Sequence, residues 1–170
     1  MVSLRQAQQL GLPFWRTQAH KETKPTHKVQ AMTDKTKIAA QFIQAIPHAK
    51  ALGLQLTHIG NGEAEITMPY NEALIGDPKT GVIHGGAVSA MMDTCAGAAV
   101  MSHPAAPGGT ATIDLRIDYM RAATPGQAIT TKATCYHITR NVAFVRATAT
   151  DEDTDRPVAT ASGAFTVEKR

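Results

Sequence analysis

Aromatic side chains make up only 5% of this 170-residue sequence, too few for the base-stacking platforms that hold single-stranded nucleic acid. Cysteine is scarcer still. Cys95 and Cys135 stand 40 residues apart with no Cys-x-x-Cys spacing, which argues against a disulfide framework and a structural zinc site. Two buried small hydrophobes in a reducing compartment is the expectation. The histidines show no metal-ligand spacing either, and the sequence holds no internal repeat or low-complexity block. An excess of one charge sign is missing once the chain is divided. Residues 1–33 carry Arg5, Arg16, Lys21, Lys24 and Lys28 against Glu22, a net of +4, while the other 137 residues hold twelve basic and thirteen acidic side chains, a net of −1. The pI near 9.0 therefore belongs to the first segment, and the remainder offers no basic surface for nucleic acid.

What is present centres on one stretch, Gly81 to Met101, and between Gly85 and Ser102 the only charged side chain is Asp93. The stretch is apolar on every face, and a helix without a polar face is surrounded by protein or by lipid. Its Gly and Ala content, its central acid and the lack of basic flanks argue against lipid. A helix wrapped by a sheet is expected, and a carboxylate inside such a wrapping demands a partner.

Residues 1–33 mix polar and basic side chains with a broken apolar run, 10–15, too short for a secretory signal. They are expected to form a flexible extension, with Met32 a candidate for the true start, and the folded domain is expected over 34–170. Asp34 can cap a helix in which Ile38, Ala39, Phe42, Ile43 and Ile46 recur at helical spacing, which Pro47 ends or redirects. A second short turn closed by Gly53 follows. Asn61-Gly62 between two alternating runs is a hairpin signal. Residues 69–75 read as one helical turn, and 76–81 as a loop feeding the central helix. Beyond it, 112–121, 128–139, 142–151 and 158–167 read as strands, the first half-buried by the alternation of Ile113, Leu115, Ile117 and Tyr119 against Asp114, Arg116 and Asp118. The expected order is helix, hairpin, long buried helix and a meander of antiparallel strands, an α+β arrangement of one sheet over one helix.

Gly81-Val-Ile-His84-Gly85-Gly86 with Asp93 nine residues after the histidine, followed by Ile113-Asp-Leu-Arg-Ile-Asp-Tyr-Met-Arg-Ala-Ala-Thr-Pro-Gly126, resembles the hotdog-fold thioesterases of the phenylacetate-pathway (PaaI-like) type. The resemblance covers about residues 45–168. It implies a hotdog fold, an antiparallel β-sheet wrapped around a long central helix. It further implies hydrolysis of acyl-coenzyme A at the interface of a homodimer or of a tetramer built from two dimers. Coenzyme A enters as part of the substrate and no cofactor is implied; nor is a nucleic-acid partner, a membrane or a metal. A cytoplasmic location is expected. In the family, the counterpart of Asp93 acts as general base on water or as nucleophile on the acyl carbon, and backbone N–H groups at the helix start hold the thioester oxygen.

The chemistry fits these residue types. Thioester hydrolysis builds negative charge on a carbonyl oxygen, and a helix N-terminus presents unpaired N–H donors and a positive dipole end. Gly85 and Gly86 admit substrate to that backbone, Gly86 being the expected donor, unless the pair merely permits a sharp turn. Asp93 lies seven residues from Gly86, roughly 10 Å along a helix. Hydrogen-bond reach is about 3 Å, so both can serve one carbonyl only if they come from different subunits of a two-fold dimer. The bland alternative for Asp93 is a buried acid bonded to Ser89 or Thr94. His84 either polarises the thioester or orients the Gly-Gly turn. Asp77 stands where related sequences often carry Asn, and Thr112 where relatives can carry a hydroxyl near the water; both are candidate substrate contacts. Arg140 and Asn141 at a strand turn, with Arg116 and Arg121, are candidates for the coenzyme A phosphates. Cys95, two residues from Asp93, points to another helix face and is expected to be core. Two other functions fit less of the sequence: an acyl-CoA-binding regulatory protein without turnover, and a hydratase or dehydratase on the same fold, whose motifs are not found.

Overall fold

Proline brings a fixed φ and no N–H, which suits the first turn of a helix. Pro47 accordingly opens α1 (Pro47–Ala51) after a bend at Ile46, so it redirects the chain, and Gly53 closes the segment at φ 67°. β1 (Gln55–Gly60) and β2 (Glu63–Met68) form the expected hairpin. Asn61 and Gly62 both take positive φ, 54° and 84°, the pair of angles that lets a two-residue turn follow the strand twist.

In the computed structural model, residues 43, 45–105 and 108–168 are described; they fall within one compact unit, Met32–Arg170. The expected extension over 1–33 and the first turns of the helix from Asp34 lie outside the described residues. Among the described residues no helix is long and apolar enough to cross a membrane.

After a 3-10 turn at Glu72–Leu74, the simple loop expected over 76–81 proves to be the turn of a short strand pair. β3 (Ile75–Asp77) and β4 (Val82–Ile83) pair antiparallel. The Asp77 side chain draws the intervening turn together by accepting from the Lys79 N–H at 3.0 Å and the Thr80 hydroxyl at 2.7 Å. Then comes α2 (Gly85–Ser102), followed by β5 (Thr112–Tyr119), β6 (Ile129–Ile138), β7 (Val142–Thr150) and β8 (Ala159–Thr166).

The six-stranded sheet runs β1-β2-β6-β7-β8-β5, every neighbour antiparallel, and α2 lies across its concave face. The meander holds for β6-β7-β8 but not for β5, which pairs with β8 at the far edge. Two contacts draw it there. Gly163 on β8 lacks the side chain whose Cβ would stand 2.5 Å from the Asp114 carbonyl oxygen, so the strands close up. Beyond β5, Arg121 reaches Asp151 at the end of β7, which pulls residues 120–128 across the end of the sheet. β5 is also more exposed than the half-buried strand its alternation implied: Ile113 is 56% exposed and Tyr119 49%. Among the described residues no strand lies on its outer side, which leaves its apolar side chains less covered than those of the inner strands.

The core fits a helix laid close on a sheet. Met91, Met92, Cys95, Ala96, Ala99 and Val100 of α2 are sealed against Ile66, Met68, Ile129, Val145 and Phe165, and small Ala133, Ala143, Ala147, Ala149 and Ala159 leave the helix room. The sheet does not cover the whole helix. Gly86, Ala90, Asp93, Gly97 and Met101, spaced three and four apart along one stripe, are not buried.

The Arg121–Asp151 pair is the ionic anchor of this arrangement. The guanidinium donates Nη1 to Oδ2 at 2.7 Å and Nη2 to Oδ1 at 2.6 Å, and the carboxylate also accepts from the N–H groups of Thr124 and Asp153. The Arg121 guanidinium holds the Asp151 carboxyl far below the usual carboxylate range. Asp151→Asn leaves Arg121 without its counter-charge and is expected to cost about 3 kcal/mol in urea unfolding at pH 7. A carboxyl depressed on folding contributes stability above its unfolded value of about 4 and loses it as pH falls towards the folded value. The gap between wild type and variant should therefore narrow below about pH 4.

Candidate active site

The start of α2 is fixed by three hydrogen bonds. His84 is the N-cap: its N–H donates to the Leu74 carbonyl at 2.8 Å, its carbonyl accepts from the Ala87 N–H at 3.0 Å, and its Nδ1 accepts from the Gly86 N–H at 2.9 Å. An accepting Nδ1 places the neutral ring's proton on Nε2. Neither glycine has a positive φ, so the pair serves space and not an unusual turn. A Cβ on Gly86 would stand 2.8 Å from His84 Nδ1, and one on Gly85 3.3 Å from the Tyr119 ring.

This geometry changes the expectation for the donor. The Gly86 N–H is already given to His84, whereas among the described residues the Gly85 N–H meets no acceptor. The Nδ1 bond from the Gly86 N–H is the contact by which His84 would orient the turn.

Asp93 sits half-buried on the uncovered stripe. Its Oδ1 accepts from the Thr112 hydroxyl at 2.7 Å, so the partner is the strand residue and neither Ser89 nor Thr94. The Thr94 hydroxyl donates to the Ala90 carbonyl, and Ser89 serves the other end of the helix. There Tyr119 donates to the Gly85 carbonyl oxygen at 2.6 Å and lies 2.7 Å from the Ser89 hydroxyl. Thr112 and Tyr119 are the two ends of β5. One strand therefore touches Asp93 at its start and Gly85 at its finish, and along the helix these two stand roughly 12 Å apart.

The remaining candidates are scattered. The exposed Asp77 carboxylate is bonded to its own turn, and those bonds hold it below the usual range. Arg121 is committed to Asp151, and Arg116 bonds Asp118 at 3.0 Å, so neither stands free for a phosphate. Arg140 and Asn141 are exposed at the β6–β7 turn, at the sheet end where β5 begins. Cys95 is fully buried, its thiol pushed up to about 12 by desolvation, which makes it core and no nucleophile. Among the described residues no group of three His, Cys, Asp or Glu side chains could hold a metal ion. Beside the helix start lies a pocket of about 290 Å³, with Gly85, Val88, Tyr119, Ala122, Ala123 and Val158 in its walls.

Residues 80–158, which carry the histidine, both glycines, Asp93 and Thr112, match the family model described as the thioesterase superfamily. A Pseudomonas aeruginosa protein of known crystal structure is 37% identical, with a TM-score of 0.69 over 77% of this chain and 97% of that one. The chain belongs to the thioesterase superfamily. Within it the PaaI-like assignment stands. The phenylacetic acid degradation protein PaaI from Thermus thermophilus, seen as a mutant, is 26% identical with a TM-score of 0.63, over 71% of this chain and 98% of that one. A curated relative, the medium/long-chain acyl-CoA thioesterase YigI of Salmonella typhimurium, is 24% identical over 68% of this chain and 83% of that protein. This thioesterase is thus an enzyme of thioester hydrolysis on an antiparallel sheet with one long central helix.

In the sequence Ser89 stood out only as a possible partner for Asp93, and Tyr119 only as a strand residue. Tyr119 falls in phase with Ile113, Leu115 and Ile117 and reads as a packing residue; only the strand's placement shows its hydroxyl at the helix start.

Gly86→Ala should leave the fold intact, because the imidazole can swing away from the new Cβ, but it should break the cap. Thioester hydrolysis is expected to fall about 100-fold with an unchanged far-ultraviolet circular dichroism spectrum; full activity would mean the cap is dispensable.

Proposed function

We propose that this thioesterase hydrolyses acyl-coenzyme A at a site made by two copies of the chain. Asp93 of one copy activates water or attacks the acyl carbon, and a backbone N–H at the α2 start of the other holds the thioester oxygen. The observation that carries this reading is the position of Asp93 on the uncovered stripe of α2, roughly 12 Å from the Gly85 N–H in its own chain. A thioester group is too small to bridge that distance with hydrogen bonds of about 3 Å. Two antiparallel helices meeting along the stripe would set each Asp93 against the other chain's helix start and create two equivalent sites.

The donor in this reading is Gly85, because the Gly86 N–H is committed to His84. Gly86 then works through space: it lets the imidazole fold back, and the exposed His84 is assigned as a second donor through its Nε2–H. Thr112 fixes the Asp93 carboxylate through Oδ1 and leaves Oδ2 for water or for the acyl carbon. Arg140 and Asn141, at the same sheet end as Thr112, are assigned to the coenzyme A phosphates. The apolar pocket beside Gly85 takes the acyl group, and the name of the Salmonella relative favours an aliphatic chain of medium or greater length.

A dimer is further supported by β5. Among the described residues its outer edge is unpaired, and the strand and the residue after it carry Ile113, Tyr119 and Met120 at 56%, 49% and 62% exposure, an edge that a second copy would cover. A tetramer would add a second, different contact.

Asp93→Asn keeps the shape of the side chain and its bond from Thr112. With acyl-CoAs of graded chain length and detection of the free thiol, it is expected to lose at least about 100-fold in kcat while sedimenting as wild type does. Unchanged turnover would remove Asp93 from the chemistry, and a fully active monomer would remove the shared site.

A further inference from the structure

The proposed oxyanion donor belongs to a glycine, the residue whose backbone is least restrained by its own side chain. Preorganisation of that N–H must come from whatever holds the peptide units on either side. On the near side, His84 is tied through its N–H to Leu74 and through its carbonyl to Ala87. On the far side, the Gly85 carbonyl oxygen lies in one plane with the Gly86 N–H, and three groups act on that plane. Tyr119 Oη donates to the oxygen at 2.6 Å, Ser89 Oγ stands 3.1 Å from it, and His84 Nδ1 accepts from the Gly86 N–H at 2.9 Å.

We propose that Tyr119, with Ser89, is a positioning residue for the oxyanion site: by holding the Gly85–Gly86 peptide it limits rotation of the Gly85 backbone, whose N–H plane is held on the other side by the Ala87 bond to the His84 carbonyl, and it sets the tautomer of His84. The proposal rests on the thioesterase site described above and adds to it the residue that stiffens it.

The hydroxyl geometry supports the assignment. The Gly85 oxygen, Tyr119 Oη and Ser89 Oγ form a triangle of three oxygens with two hydrogens. Both hydroxyls reach the carbonyl, Tyr119 donating at 2.6 Å and Ser89 at 3.1 Å, and they lie 2.7 Å from each other, so Ser89 supports the bond that Tyr119 makes. Donation to the carbonyl also draws electron density through the amide and strengthens the Gly86 N–H as a donor to Nδ1, the cooperative effect of a hydrogen-bond chain. The network therefore runs from Ser89 and Tyr119 through the Gly85–Gly86 peptide to Nδ1 of the exposed imidazole. The Tyr119 ring adds a steric stop, since its Cζ lies 3.3 Å from where a Gly85 side chain would be. None of this requires Tyr119 to touch substrate.

Tyr119→Phe keeps the ring and deletes the hydroxyl; Ser89→Ala weakens the same bond without altering the β5 edge. The test combines steady-state kinetics on a medium-chain acyl-CoA with nitrogen-15 spectra of the His84 imidazole. Tyr119→Phe is expected to lower kcat about tenfold with KM unchanged, less than the loss from removing an oxyanion donor outright. Its His84 signals should shift from the Nε2–H tautomer towards a mixture, and Ser89→Ala should move both readouts the same way by less. If Tyr119→Phe disturbs assembly, Ser89→Ala carries the test alone. Wild-type kcat together with a wild-type tautomer in both variants would overturn the proposal. The imidazole spectra do not depend on turnover, so a wild-type protein inactive on acyl-CoA would contradict the substrate assignment while leaving this one to be decided by the tautomer.

Discussion

One strand holds one helix at two points, and the rest of the molecule is arranged to allow it. β5 reaches Asp93 through Thr112 and the Gly85 carbonyl through Tyr119. A strand rises about 3.3 Å per residue and a helix about 1.5 Å, so the two elements cannot match residue for residue. Contact at two points, one at each end of the strand, fixes both the angle and the register of α2 over β5. The closeness of β5 to β8 at Gly163, the Arg121–Asp151 pair and the alanine-lined floor beneath the helix all serve that placement.

Much of this was legible in the chain. The Asn61-Gly62 turn, the helix from Gly85 to Ser102 and strands β6 to β8 follow from local angles and from periodicities of two and 3.6, which need no knowledge of distant residues. The hydrogen-bonding neighbour of β5 was not legible, because alternation reports which side chains share a face and is silent about the strand alongside. Short sequence separation pointed to β6, and a glycine in another strand and an arginine just past the end of β5 decided otherwise. The 75–83 segment hid its two short strands for a related reason: pairs of two or three residues have no period to detect.

The site divides in the same way. The His-Gly-Gly motif and Asp93 could be read from spacing, and so could their distance along the helix. Which N–H remained free could not, since that depends on the rotamer of His84, and neither could the hydroxyls behind the motif, because a tyrosine in phase with aliphatic residues carries no local mark of a polar task. Arg121 shows the converse. A cation one turn away from the site motif looked available for phosphate and proved committed to a carboxylate with no side-chain exposure.

A buried helix that keeps a single acid on its uncovered stripe is costly in an isolated chain; in the proposed pair the same stripe would face another helix start. Mixing the Asp93→Asn chain with a Gly85→Val chain tests this most directly. Each homodimer then lacks one half of both sites, while a mixed dimer regains one complete site from the intact halves. On random reassortment of subunits after partial unfolding, activity should return to about a quarter of the wild-type value. If both variants are inactive alone and the mixture stays inactive after mixed dimers are shown to form, Asp93 and Gly85 do not serve one thioester from different chains.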